Sequence, residues 1–130
     1  MILLDSHVVI WLALTPEKIS PAATAAIGEV ESAGAISCIS VMTIYEVANA
    51  IRLGRLQPII PHQVFLHRIR SRFKVFPVTE KIAQCAAELP APFHGDPMDR
   101  IITATAIVEN CVLITKDEQI RKAKLCKVVW

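Results

Sequence analysis

The feature that most narrows the fold is the alternation of short apolar runs with longer helical stretches along the whole chain. Ile2–Leu4, Ala35–Ile39, Lys74–Val78, Val112–Thr115 and Lys127–Val129 are too short for helices and carry few charges, which is how strands buried on both faces read. Between them lie segments with helix start and stop signals. Val8–Leu14 is short and very apolar. Ser20-Pro21 supplies an N-cap and an N1 proline for a helix to about Ala33, which Gly34 ends. Ser40 caps Val41–Leu53, where Ile44, Val47, Ala48 and Ile51 recur at helical spacing before Gly54 stops the run. His62–Phe73, Glu80–Leu89 (capped by Thr79), Met98–Glu109 and Glu118–Ala123 read as further helices, and Pro90 to Gly95 as a loop. Strands separated by helices predict an α/β fold: a three-layer α/β/α sandwich around a central, mostly parallel five-stranded sheet. With no repeat and no linker, residues 1–130 are expected to form a single domain.

Composition removes several functions. The four cysteines form no C-x-x-C pair, so a structural zinc site is not expected, and their apolar contexts read as reduced core thiols. The opening Met-Ile-Leu-Leu-Asp has no basic region and meets an acid at position 5, unlike a signal peptide. The longest clean apolar run, Val8–Leu14, is far short of a membrane span, so a cytoplasmic protein without a membrane partner is expected. A net charge of +2 does not by itself mark nucleic-acid binding, so the placing of the cations matters more.

Four acids stand in unusual places. Asp5 and Asp117 follow the ends of the first and fourth apolar runs, where open α/β sheets place their ligands. In His94-Gly95-Asp96-Pro97-Met98-Asp99-Arg100, Asp96 reads as an N-cap, Pro97 as N1, and Asp99 lies one turn inside an otherwise apolar helix. Glu46 sits beside the apolar stripe of its helix, either half-buried or on a solvated flank. If these four converge, like charges disfavour each other's ionisation unless a cation neutralises them. An all-oxygen donor set suits Mg²⁺, with Mn²⁺ as a substitute, and an ion so held polarises a phosphoryl oxygen and activates a water. The matching reaction class is phosphodiester hydrolysis.

Ile2-Leu3-Leu4-Asp5-Ser6-His7, Ile44-Tyr45-Glu46-Val47-Ala48, Asp96-Pro97-Met98-Asp99-Arg100-Ile101 and Leu113-Ile114-Thr115-Lys116-Asp117 resemble the successive motifs of PIN-domain ribonucleases. They are most similar to VapC-type toxins of type II toxin–antitoxin systems, in order and over nearly the whole chain. The resemblance implies a Mg²⁺-dependent endoribonuclease with Asp5, Glu46, Asp99 and Asp117 as its catalytic, metal-binding acids. Ser6 matches a small hydroxyl residue that orients the first acid or a water, and Thr115 lies in the last motif. Asp96 is a cap, a supporting group or an occasional ligand. Arg100 pairs with an acid or touches phosphate, or else forms a structural ion pair. His7 and His94 flank the expected cleft as packing residues. Arg52, Arg55, Arg68, Arg72, Lys116 and Arg121 are the candidates for holding the RNA backbone. The implied partners are RNA, a small VapB-like antitoxin and a second copy of the chain in a homodimer. Two alternatives remain at this level: a housekeeping RNA-processing nuclease without an antitoxin, and a non-catalytic RNA- or protein-binding module. A receiver domain is excluded because the third run ends in Thr79 without an aspartate, and an Asp-x-Asp phosphatase because Ser6-His7 follows Asp5.

Overall fold

The computed structural model describes residues 1–90, 93 and 95–130. Five strands, β1 (Ile2–Leu4), β2 (Cys38–Ser40), β3 (Lys74–Phe76), β4 (Val112–Ile114) and β5 (Val128–Val129), form one sheet in the order β3-β2-β1-β4-β5. Among the described residues every pairing is parallel. Among the described residues seven helices accompany it: α1 (Ser6–Leu14), α2 (Pro21–Ser32), α3 (Val41–Arg52), α4 (His62–Arg72), α5 (Glu80–Glu88), α6 (Pro97–Val108) and α7 (Glu118–Ala123).

The two-residue period of the strands sorts the helices into layers. Ile2 and Leu4 of β1, Ile39 of β2 and Ile114 of β4 face one side, against Val8 and Val9 of α1, Ile27 of α2, Val47 of α3 and Phe65 of α4. Leu3, Cys38 and Leu113 face the other side, against Ile102 and Ala106 of α6 and Ile120 of α7. Helix α5 lies on α6 through Ile82, Ala86 and Ala104. Leu3, Leu4, Leu113 and Ile114 have no exposed surface, and each such side chain contributes about 1.5–3 kcal/mol by leaving water. A one-residue slip of β1 would exchange its two faces, so this register is strongly specified.

Where element ends differ from expectation, local chemistry explains it. Helix α1 begins at Ser6 rather than Val8, because the Asp5 side chain accepts from the Ser6 N–H and caps it. β2 starts at Cys38, leaving Ile36 63% exposed before it. β3 stops at Phe76 because Pro77 has no N–H for the ladder. A 3-10 turn at Pro16–Lys18, absent from the expectation, links α1 to α2. His94, with Ala91 and Pro92 of the expected loop, lies outside the described residues. Among the described residues no helix is long and apolar enough to cross a membrane.

The strand order reverses about β1: β2 and β3 extend to one side, β4 and β5 to the other. A parallel sheet with such a reversal opens a crevice at the carboxyl ends of the strands. Asp5 and Asp117 both emerge there.

Candidate active site

Asp5 is the fixed point of the site. It ends β1, its N–H donates to Ile114 O of β4 at 3.1 Å, and only 5% of it is exposed. Its Oδ1 accepts from the Ser6 N–H at 2.6 Å, and its Oδ2 accepts from the Thr115 hydroxyl at 2.6 Å. Burial raises the Asp5 carboxyl above the usual range. The Thr115 bond, the His7 charge and the Ser6 N–H oppose that rise, and Asp117 adds to it.

Thr115, fully buried, serves two acids at once. While its hydroxyl donates to Asp5, its Oγ1 accepts from the Asp117 N–H at 3.0 Å. Asp117 in turn caps α7, with Oδ1 accepting from the Ile120 N–H at 2.8 Å. Ser6 plays the matching part on the other flank. Its hydroxyl donates to Glu46 Oε2 and lies 3.3 Å from Thr43 Oγ1. Glu46 is therefore turned inward from α3 and half-buried, which resolves the two options left open for it. Burial raises its carboxyl; the Ser6 bond opposes this, the Asp5 charge adds to it, His7 opposes it and Asp96 adds to it.

Asp99, at the third position of α6, is half-buried and feels all the other acids. Burial first, then the charges of Asp5, Asp96, Asp117 and Glu46, push its carboxyl up to about 7. Five acids from four segments of the chain therefore meet in one electrostatic neighbourhood. Asp96 is exposed at its rim and caps α6, accepting from the Met98 N–H at 2.9 Å.

Among the described residues no three His, Cys, Asp or Glu side chains are yet set to hold a metal ion. Hydroxyls and helix N–H groups engage Asp5, Glu46, Asp96 and Asp117 instead, so the acids sit at electrostatic rather than ligating range. The donor set still fits a hard divalent cation. All its ligating atoms are carboxylate oxygens, and their mutual repulsion, visible at Asp99, is what such a cation relieves.

The structure distributes the other candidates unevenly. The Arg100 guanidinium donates to Ala86 O (3.0 Å), Leu89 O (3.0 Å), Ala87 O (3.3 Å) and Phe93 O (3.4 Å), tying the end of α5 to α6. That is structural use. Arg55 lines a hollow beside Ser6, His7, Glu46 and Asn49, whereas Arg52 is exposed and holds Asn49 Oδ1 at 2.8 Å. Lys116 sits next to Asp117 with its Nζ over Trp11. Arg68 and Arg72 line a separate apolar groove, and Arg72 pairs with Glu31 at 3.4 Å. Arg121 lines an open basic hollow beside β5. Two residues escaped sequence reasoning. Thr43 is a buried hydroxyl one turn before Glu46, and that spacing was the available signal. Trp11 was read only as part of an apolar helix.

A three-layer sandwich with acids gathered at the carboxyl edge of an all-parallel sheet places the candidate site where such sheets bind their ligands. Residues 2–125 match the family described as PIN domain, and the chain belongs to that family. It is 34% identical over 120 residues to Ribonuclease VapC22 of Mycobacterium tuberculosis, covering 92% of this chain and 89% of the relative, which places it with the VapC-type members. Solved structures share the fold at low identity. The VapBC2 structure from Rickettsia felis, bound to a DNA fragment from its promoter, matches with a TM-score of 0.74 at 16% identity over 99% of this chain and 98% of that one. The FitAcB structure from Neisseria gonorrhoeae matches with a TM-score of 0.70 at 24% identity over 100% and 97%.

Proposed function

We propose that this protein is a Mg²⁺-dependent endoribonuclease and the toxin of a two-protein toxin–antitoxin pair. The observation that carries the reading is Asp99, a half-buried carboxyl raised to about 7 by its burial and by four neighbouring acids. Such crowding is costly in a protein that never binds a cation and useful in one that does. The kinship with Ribonuclease VapC22 supports RNA as the substrate, and the toxin–antitoxin neighbours support a protein inhibitor.

Asp5, Glu46, Asp99 and Asp117 would hold the ion, and Mn²⁺ would substitute for Mg²⁺. A bound ion of this kind polarises a phosphoryl oxygen and lowers the pKa of a water. The chain's own residues supply orientation. The Ser6 N–H and the Thr115 hydroxyl fix both oxygens of Asp5, and the Ser6 hydroxyl aims Glu46 inward. Thr115 sets the backbone from which Asp117 projects. A water attacking phosphorus in line leaves a 5′-phosphate and a 3′-hydroxyl, with no part for the ribose 2′-hydroxyl. Arg55, which lines the hollow beside Glu46, and Lys116, next to Asp117, steady the phosphates.

The apolar groove between α1 and α4 supports the antitoxin. Ile59 is fully exposed at it, Leu14 is 42% exposed, and Arg68 and Arg72 line it. Exposed Val41, Tyr45 and Leu53 on and just past α3 favour a homodimer.

The test is cleavage of a transfer-RNA pool and a structured messenger RNA by antitoxin-free protein, with Mg²⁺, with EDTA, and with Asp5→Asn. Cleavage is expected only where both the metal and Asp5 are present, giving 5′-phosphorylated products. Cleavage that survives EDTA or Asp5→Asn would sink the mechanism.

A further inference from the structure

The hollow that Arg55 lines opens directly off the acids, since Ser6 and Glu46 line it too. It holds about 300 Å³, at the lower end of the size of ligand pockets. Ile10 of α1 and Ala50 of α3 give it apolar walls, and Asn49 adds an amide. Asn49 follows Glu46 by three residues on α3, so the two side chains share one face of the helix. Arg52 donates to Asn49 Oδ1 twice, from Nε at 3.1 Å and from Nη2 at 2.8 Å. A guanidinium has only donors, so the atom it holds is the amide oxygen, and the amide is not free to turn over. Arg52 stands outside the hollow and Asn49 lines it. The amide therefore offers the hollow its NH2 group, which forms no hydrogen bond among the described residues.

The cation beside it is set just as firmly. Gly54, at φ +72°, turns the chain out of α3, and the N–H groups of Arg55 and Leu56 both donate to Ala50 O, at 2.9 and 3.2 Å. Leu56 is buried and anchors the turn, while the Arg55 guanidinium forms no ion pair or hydrogen bond among the described residues. A solvated surface pair would explain Arg52 on Asn49, but not a half-buried amide aligned beside a free cation and the acids. Apolar walls, one fixed donor and one cation match a nucleotide: its base lies between the walls and its phosphate on the arginine. A donor that does not turn also chooses between bases. Guanine O6 and uracil O4 accept from it, whereas adenine and cytosine carry an amino group at the same place, and two facing donors leave each other unpaired.

We infer that this hollow is the subsite for a base next to the cut bond, and that Asn49, held by Arg52, selects guanine or uracil there. Arg55 takes the phosphate of that nucleotide. The inference rests on the ribonuclease reading above and adds which bases the site accepts and the residue that chooses them.

The experiment maps the bonds that Mg²⁺-loaded protein cuts in the structured messenger RNA, then resynthesises a short RNA around one of them. Each position flanking the cut carries in turn guanine, uracil, adenine, cytosine, hypoxanthine (which keeps O6) or diaminopurine (which replaces O6 by an amino group). The value of kcat/KM is measured for each. At one flanking position guanine, uracil and hypoxanthine should be cut about tenfold faster than the three amino bases. Asn49→Asp, whose free carboxylate oxygen accepts where the amide donated, should reverse that order at that position alone. The comparison is a ratio within one variant, so an overall loss of rate leaves it readable. Arg52→Ala frees the amide to present either end and should shrink the preference to about twofold or less. Equal cleavage of all the bases at both positions, or a preference unchanged in both variants, would overturn the subsite and leave the nuclease standing. A protein that cleaves no RNA overturns both.

Discussion

At the scale of single residues the site is an arrangement of like charges held apart by hydroxyls. Asp99 carries the clearest consequence. In the folded, metal-free protein its carboxyl titrates near 7, against about 4 in the unfolded chain, so between those values the folded state binds more protons. Its contribution to stability is therefore fully present below about pH 4 and is lost as the pH rises through about 7. Asp5 and Glu46, raised in the same direction, add to the slope. The melting temperature in EDTA should fall between pH 5 and pH 8, and calorimetry of Asp99→Asn should show a flatter dependence. Mg²⁺ should recover more stability at pH 8 than at pH 5, since only the ionised acids attract it. A metal-free protein that melts higher at pH 8 than at pH 5 would contradict the crowding. For cleavage, Asp99→Asn should abolish it, whereas Asp96→Asn should be mild, because asparagine also caps the Met98 N–H. Thr115→Val is the sharper test of the scaffold. It leaves the buried Asp5 Oδ2 and the Asp117 N–H without the hydroxyl they share, costing about 1–3 kcal/mol in urea unfolding and more than tenfold in cleavage rate.

At the scale of elements, the positions of strands and helices were legible because caps and breakers mark them. Ser20, Ser40, Thr79 and Asp96 each accept from a helix N–H two or three residues on, so those helix starts could be read from the capping residue. Asp117, by contrast, caps α7 without having been read as a cap, and α4, after Pro61, has no side-chain cap. Asp5 was legible as an acid at the end of a strand but not as a cap, since the apolar run after it hid a helix that begins at Ser6. Arg100 was the least legible. It directly follows Asp99, yet it donates to carbonyls at the end of α5 that lie more than ten residues away for Ala86, Ala87 and Leu89. Nothing in local spacing predicts that α5 should lie on α6. The structure makes Arg100 the tie between those two helices, so Arg100→Lys, which keeps charge but not the planar fork, should lower stability by about 1–3 kcal/mol. Urea unfolding monitored by helical circular dichroism measures this, and a change within error would remove the tie.

At the scale of the whole molecule, the acids and the apolar groove sit on different parts of the surface. The convergence of Asp5, Glu46, Asp99 and Asp117 followed from the sheet topology, which strand alternation made legible. The groove did not, because it forms where the end of α1 meets the connector Pro58–Ile60 and α4, a meeting no periodicity announces. Ile59 is 103% exposed, so changing it perturbs nothing inside the fold, and Ile59→Asp should alter stability by no more than about 0.5 kcal/mol. Cleavage by the isolated protein should likewise be unchanged, since no acid lines the groove. If an antitoxin covers this face, a carboxylate at the groove would be buried against apolar surface on binding. The cost of desolvating it should weaken the complex at least tenfold and restore cleavage at antitoxin concentrations that silence the parent. Titrating antitoxin against both proteins reads the difference directly. Equal inhibition of the two would move the antitoxin to another face and leave the groove without a partner.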